Sequence, residues 1–322
     1  MKKLLAAVAS VAMLGVLFTA CSNGTGSSSS SSSSTVSGTV TAAGSSALKP
    51  LVDAAKTAFQ QKNPDVSITV SAGGSGVGLQ QVAAGTVDIG DSDVTAESKL
   101  PADQAKTLVD HQVAIVGVAV ITSTDVKVSS LTTDQLTNIF TGKTKNWSEV
   151  GGPNEAITLV TRPSNSGTRA LFKQYALNNA DESTSALNTD DSGVLLQDVA
   201  GNKGAIGYVA LSYLVTSPSV STVSIDNVAP TLDNIYSGKY KVWGTEHMYT
   251  KGEAKGAAAA FIKYMQSADF ATRSETLGYG IASKVKVPHA DTSSTSSTAS
   301  SSASSSASSS ASSSASSATS SK

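Results

Sequence analysis

Apolar and polar positions follow two alternating periods over residues 36–288. Val36 to Ala43 reads as a strand. From Ala47 to Gln61 the apolar residues fall at 47, 48, 51, 54, 55, 58 and 59, which is a helical period. Asn63-Pro64-Asp65 turns the chain, and Val66 to Val70 alternates as a strand. A glycine-rich loop, Gly73 to Gly78, precedes a helix over Leu79 to Ala84, and Val87 to Gly90 reads as another short strand. The order βαβαβ predicts a mainly parallel sheet wrapped by helices.

The pattern restarts after Thr122. Thr132 to Phe140 reads as a helix capped by Thr132 or Thr133, with Leu136, Ile139 and Phe140 on one face. A strand at Ile157 to Thr161 and a helix at Thr168 to Leu177 follow. Gln197 to Ala200 reads as a short helix and Ala205 to Val209 as a strand. An alanine-rich helix, Glu253 to Gln266, and a last helix near Ala268 to Thr276 close the patterned region. The expectation is an α/β protein of two lobes, one made of residues 36–121 plus 246–288 and the other of 122–245. Two chain crossings between lobes would form a hinge that closes on a ligand.

Both ends depart from this pattern. Lys2 and Lys3 precede an apolar stretch from Leu4 to Phe18, then Thr19, Ala20 and Cys21. Residues 1–20 therefore read as a secretory signal. Phe18-Thr19-Ala20-Cys21 resembles a lipobox, so Cys21 is the expected lipidation site. Residues 21–35 read as a Ser-rich tether, and 289–322, dominated by Ser-Ser-Ser-Ala repeats, as a tail that cannot bury a core. The expected location is the outer face of a cell membrane, held by lipid.

Composition removes several function classes. With 23 basic and 24 acidic side chains the formal net charge is −1, so no basic excess suggests a nucleic-acid partner. One cysteine excludes an intrachain disulfide and a thiolate metal site. The three histidines, His111, His247 and His289, lack ligand spacing. The apolar run Val113 to Ile121 is far shorter than a membrane span. No metal or organic cofactor is implied.

Three loops share one design, with small hydroxyl residues and glycine where a helix begins. They are Gly44-Ser45-Ser46-Ala47, Gly73-Gly74-Ser75-Gly76-Val77-Gly78 and Ser164-Asn165-Ser166-Gly167-Thr168. Helix N-termini present unpaired N–H groups and partial positive charge, which suit an anion. Arg162, at the end of a strand, adds a guanidinium that can grip a tetrahedral oxyanion. Asp93 follows another strand, aimed at the same cleft. A carboxylate there repels an anion unless it accepts a proton from it. Phosphate near neutral pH carries that proton and sulfate does not.

These segments resemble the phosphate-binding proteins of high-affinity phosphate ABC transporters. The resemblance rests on Gly44-Ser45-Ser46-Ala47, Gly73-Gly74-Ser75-Gly76, Val87 through Asp93, and Arg162 through Ser166-Gly167-Thr168-Arg169. Leu136 through Ile139-Phe140-Thr141-Gly142-Lys143, Asn146-Trp147 and Gly204-Ala205-Ile206-Gly207-Tyr208 extend it to cover Val36 to Pro288. It implies a two-lobed, periplasmic-binding-protein-like (type II) fold with a ligand cleft between lobes. By the same resemblance Ser46, the Ala47 amide, Ser75 and Asp93 bind phosphate from the first lobe. Arg162, Ser166, Gly167 and Thr168 bind it from the second. The implied partners are the permease and ATPase subunits of an importer, served by a monomeric binding protein without enzymatic activity. Ser164 stands where some members place an acid beside the arginine, which leaves the orientation of Arg162 open.

Other readings compete. Ser46-Ala47-Leu48-Lys49 fits the S-x-x-K of penicillin-binding enzymes, but S-D-N and K-T-G are missing. Gly142-Lys143-Thr144 ends like a P-loop, but Thr137 stands where that loop needs glycine. A receptor for sulfate or molybdate, and a surface adhesin acting through its serine tail, remain the alternatives.

Overall fold

A computed structural model describes residues 35–216 and 219–289. The signal segment, Cys21, nearly all of the Ser-rich tether and residues 290–322 of the tail lie outside the described residues. Among the described residues no helix is long and apolar enough to cross a membrane.

In chain order the first part comprises β1 (Gly38–Gly44), α1 (Lys49–Lys62), β2 (Val66–Ala72), α2 (Ser75–Ala84), β3 (Ile89–Ser92), α3 (Ala102–Ala105) and the long β4 (Leu108–Thr122). Next come β5 (Ser130–Leu131), α4 (Thr133–Phe140), β6 (Thr158–Thr161), α5 (Gly167–Ala176), β7 (Leu187–Asn188), α6 (Ser192–Gly201), β8 (Ala205–Ala210), β9 (Ser221–Ile225) and α7 (Leu232–Tyr236). The chain then returns through β10 (Trp243–Lys251), α8 (Gly256–Met265) and α9 (Ala268–Thr276).

The strands run in the order β2-β1-β3-β10-β4-β8-β6-β7, with β9 also paired to β4 and β5. The expectation of a mainly parallel sheet holds only toward the two ends. β1 is parallel to β2 and β3, and β6 is parallel to β7 and β8. The middle is antiparallel, because β10 runs against both β3 and β4, and β4 against β8 and β9. β10 carries no clean alternation in sequence and was not expected. It is buried along nearly its whole length, so its polar residues Thr245, Glu246 and His247 interrupt the pattern that marks a strand.

β4 joins the two lobes. Its residues Leu108 to Gly117 pair with β10, and Val118 to Thr122 pair with β8 and β9. The Val118 N–H also bonds the Val242 carbonyl at 2.9 Å, so both crossings lie side by side. After α9 the chain runs back over this junction. Ile281 N–H donates to the Tyr236 hydroxyl at 2.8 Å, and Lys286 N–H to the Tyr236 carbonyl at 2.9 Å.

Each lobe packs helices on both faces of its sheet. In the first, Leu51, Val52 and Phe59 of α1 meet Phe261, Ile262 and Met265 of α8 over the sheet. Leu79 and Val82 of α2 pack with Leu100 and Tyr249 on the other face. In the second, Phe140, Phe172 and Tyr208 cluster on one side, the last two stacked at 4.2 Å. Leu195 and Val199 of α6 cover the other side. Burying side chains of this size stabilises a fold by about 1.5–3 kcal/mol each. The α4 start follows its sequence, with Thr132 Oγ accepting the Gln135 N–H and the Gln135 side chain accepting the Thr132 N–H.

α2 begins at Ser75, inside what the sequence marked as a loop. Glycine weakens helices, so a Gly-rich stretch reads as a loop. Here packing overrides propensity. A Cβ on Gly78 would sit 2.4 Å from the Ala43 carbonyl oxygen and 2.6 Å from Gly44 Cα. Only glycine lets α2 lie this close to β1, and that closeness brings Ser75 to the cleft.

Candidate functional site

Six chain segments end at one buried point between the lobes. The turn after β1 brings Ser45, Ser46 and Ala47, and the start of α2 brings Ser75. The end of β3 leads into Asp93. From the other lobe come Arg162 after β6, Ser166 to Thr168 at the start of α5, and Ser192 at the start of α6. All the polar members are at most 2% exposed. The lobes are closed on one another.

Arg162 is the centre of this arrangement. One terminal nitrogen, Nη1, donates to Ser192 Oγ at 2.8 Å. The other, Nη2, donates to Ser46 Oγ at 3.2 Å and to the Asp190 carbonyl at 2.8 Å. Its Nε is buried and has no hydrogen-bond partner among the described residues. Among the described residues no carboxylate forms an ion pair with it. Arg169, in the same region, differs, because its Nε lies 2.8 Å from Glu182. Ser164 supplies no acid to Arg162. Orientation comes instead from Ser192 and the Asp190 carbonyl. A buried charge lacking a counter-charge costs several kcal/mol, so this guanidinium calls for an anion.

Asp93 faces the same point from the first lobe. Its Oδ1 accepts from Ser45 Oγ and its Oδ2 from Thr168 Oγ1 at 2.7 Å, so one bond comes from each lobe. Its N–H donates to Ser75 Oγ at 3.0 Å. Ser45 Oγ also accepts the N–H groups of Ala47 and Leu48 at 3.0 and 3.1 Å, which caps the turn into α1. The N-termini of α1, α2, α5 and α6 therefore converge, and their partial positive charges add to that of Arg162.

The lobes touch most closely at Gly167. A Cβ on Gly167 would lie 2.3 Å from Ser75 Oγ and 2.9 Å from Asp93 Cβ. Asn165 accepts the Gly76 N–H at its carbonyl (2.9 Å), and its Nδ2 donates to the Gly73 carbonyl (2.9 Å). Lys99 Nζ reaches the Ser164 carbonyl at 2.8 Å, and Tyr213 Oη donates to the Ser46 carbonyl at 2.7 Å.

The structure thus gathers Ser46, Ala47, Ser75, Asp93, Arg162, Ser166, Gly167 and Thr168 in one place. Two of them have their groups engaged locally. Ala47 N–H is bonded to Ser45, and Ser166 Oγ accepts the Arg169 N–H as the cap of α5. Cys21 lies outside the described residues. Sequence reasoning missed Ser192, because only Gln197 to Ala200 were read as helix there. The signal was present. Asp191 caps α6 by accepting the Gly193 and Val194 N–H groups, and Leu195, Leu196 and Val199 carry the helical period.

The chain matches the family model of the PBP superfamily domain over residues 29–269. It is 51% identical over 233 residues to the phosphate-binding protein PstS of Bacillus subtilis, covering 72% of this chain and 77% of that one. In structure it is similar to a protein from Clostridium perfringens described as a phosphate ABC transporter substrate-binding protein and solved with bound phosphate. The TM-score is 0.69 at 30% identity, over 75% of this chain and 98% of that one. An ABC-type phosphate transport receptor from Vibrio cholerae shares the fold, with a TM-score of 0.60 at 24% identity over 75% and 99% of the two chains.

Proposed function

The chain belongs to the PBP superfamily and, within it, to the phosphate-binding proteins, and from that premise we propose that it captures inorganic phosphate outside the cell for an ABC-type importer. The observation that carries this reading is the buried guanidinium of Arg162, surrounded by hydroxyls and helix N-termini and paired with no acid among the described residues.

In this reading Arg162 and the N-termini of α2 and α5 offset the anion's charge. Ser46, Ser75 and Thr168 supply hydroxyls, and the amides of Ala47 and Gly167 supply N–H groups. Ser46 and Ala47 exchange their present partners for the ligand. Asp93 accepts the proton that phosphate retains near pH 7, which rejects sulfate. Closure happens about the β4–β10 junction, and the closed form is the one that docks on a membrane permease driven by an ATPase. Cys21 carries the lipid that keeps the receptor at the membrane.

A thermal-shift series tests the assignment. Phosphate stabilises the protein in proportion to RT ln(1 + [L]/Kd), about 2.7 kcal/mol at a hundredfold excess over Kd. Phosphate should therefore raise the melting temperature of the wild type and raise that of Arg162→Ala far less. A wild type that does not respond to phosphate at millimolar levels would remove the reading.

A further inference from the structure

The proposed site has a buried acid directly behind it. Glu246 lies on β10, which runs antiparallel to β3 with His247 across from Ser92 and Met248 across from Asp91. The ladder ends there, and the same register continued by one residue past β3 would set Glu246 opposite Asp93. A bulge in the β10–β4 pairing falls between Glu246 and His247. Such bulges re-aim a side chain. Glu246 is 0% exposed and Asp93 1%. The Glu246 carboxyl is within hydrogen-bond reach of Asp93, and among the described residues neither of its oxygens meets an N–H or O–H donor. Two carboxyl groups bond to each other only through a shared proton.

We propose that Glu246 is a positioning and specificity-determining residue that stays protonated and donates its hydrogen to Asp93, holding Asp93 as the acceptor for the ligand's proton. Acceptor counting supports this. A carboxylate offers about four lone-pair positions. Ser45 and Thr168 take one each. Glu246 takes a third, which leaves one for a ligand P–OH. An ionised Glu246 would instead put a second negative charge against Asp93 and the anion, out of water. The neighbours favour the neutral form. Asp91 on β3 and Asp93 both act on Glu246, and burial and these charges push its carboxyl well above the usual range. Asp91 is raised likewise by burial, by Asp93 and by Asp53 on α1. Tyr279 also feels Glu246, and Lys99 is a cation acting on Asp93. This inference rests on the phosphate reading for its ligand but not for its proton.

Glu246→Gln and Glu246→Leu separate the two. The amide still donates to Asp93, and leucine does not. In phosphate titrations Glu246→Leu should weaken binding about tenfold, and Glu246→Gln should restore most of that loss. As pH rises, wild-type affinity should fall relative to Glu246→Gln, a ratio from which phosphate's own titration cancels. Two ligand-free readouts stand apart. The infrared carbonyl band of a protonated carboxylic acid should be present at pH 7 in the wild type and reduced in Glu246→Gln. Because the folded state holds this proton, its stabilising contribution is complete below the unfolded value of about 4.3 and is lost as pH rises toward the folded one. The melting-temperature advantage of Glu246→Gln should therefore grow from about pH 4.3 upward. A missing band, or an advantage that does not change with pH, overturns the proton. Presence of both, with phosphate binding unchanged in Glu246→Leu, overturns the positioning role. If the wild type itself fails to bind phosphate, the earlier reading fails and the infrared and melting results still decide the proton.

Discussion

At the scale of single residues, the site is defined by which polar groups have charged partners and which do not. Arg169 has Glu182, whereas Arg162 has, among the described residues, hydroxyls and a carbonyl. Replacing Arg162 with alanine should weaken phosphate binding by about 3 kcal/mol, roughly a hundredfold, if the buried charge is the one that pairs with the proposed ligand. Calorimetric titration of the variant checks this, and a loss below about 0.5 kcal/mol would place the arginine outside the site. Ser192→Ala should produce a smaller loss of about 1 kcal/mol by freeing the guanidinium to swing. Asp93 and Arg162 were legible in the sequence because each follows a strand and faces a glycine-hydroxyl loop. Glu246 was not legible. Its meaning depends on β10 pairing with β3, a contact between residues far apart in the chain.

At the scale of elements, helix N-termini are the working parts, and their placement depends on glycine. Gly167 at the start of α5 packs against Ser75 at the start of α2 with no room for a methyl group. Gly167→Ala should therefore wedge the lobes apart. Small-angle scattering should show the wild type contracting on phosphate addition and Gly167→Ala failing to do so. Equal contraction in both would mean that the lobes do not meet at this glycine. Lys99 is the other bridge. Its half-buried amine, pushed down by desolvation, holds the Ser164 carbonyl across the cleft. Lys99→Ala should speed phosphate release severalfold with little change in the association rate, as stopped-flow measurement can show. The periodic helices α1, α4, α5, α8 and α9 were readable from apolar spacing. The first half of α2 and the strand β10 were not, because close packing allowed glycines in one and polar residues in the other.

At the scale of the whole molecule, two α/β lobes share one continuous sheet, and the long strand β4 changes partners between Gly117 and Val118. Bending is therefore expected at the β4–β10 junction, where both chain crossings lie together. The segment after Gly280 lies over the same junction through Tyr236. Asp93 of one lobe accepts from Thr168 of the other, so in the proposed reading selectivity and closure would be one event. The most direct measurement is isothermal titration of the anion-stripped protein near pH 7, first with phosphate and then with sulfate, for the wild type and Asp93→Asn. The wild type should bind phosphate one to one and give no heat with sulfate. Asp93→Asn should lose about 2 kcal/mol toward phosphate and begin to accept sulfate, since an amide donates where the carboxylate only accepts. Wild-type binding of both anions with similar affinity would contradict Asp93 as the proton acceptor, and binding of neither would contradict the receptor itself.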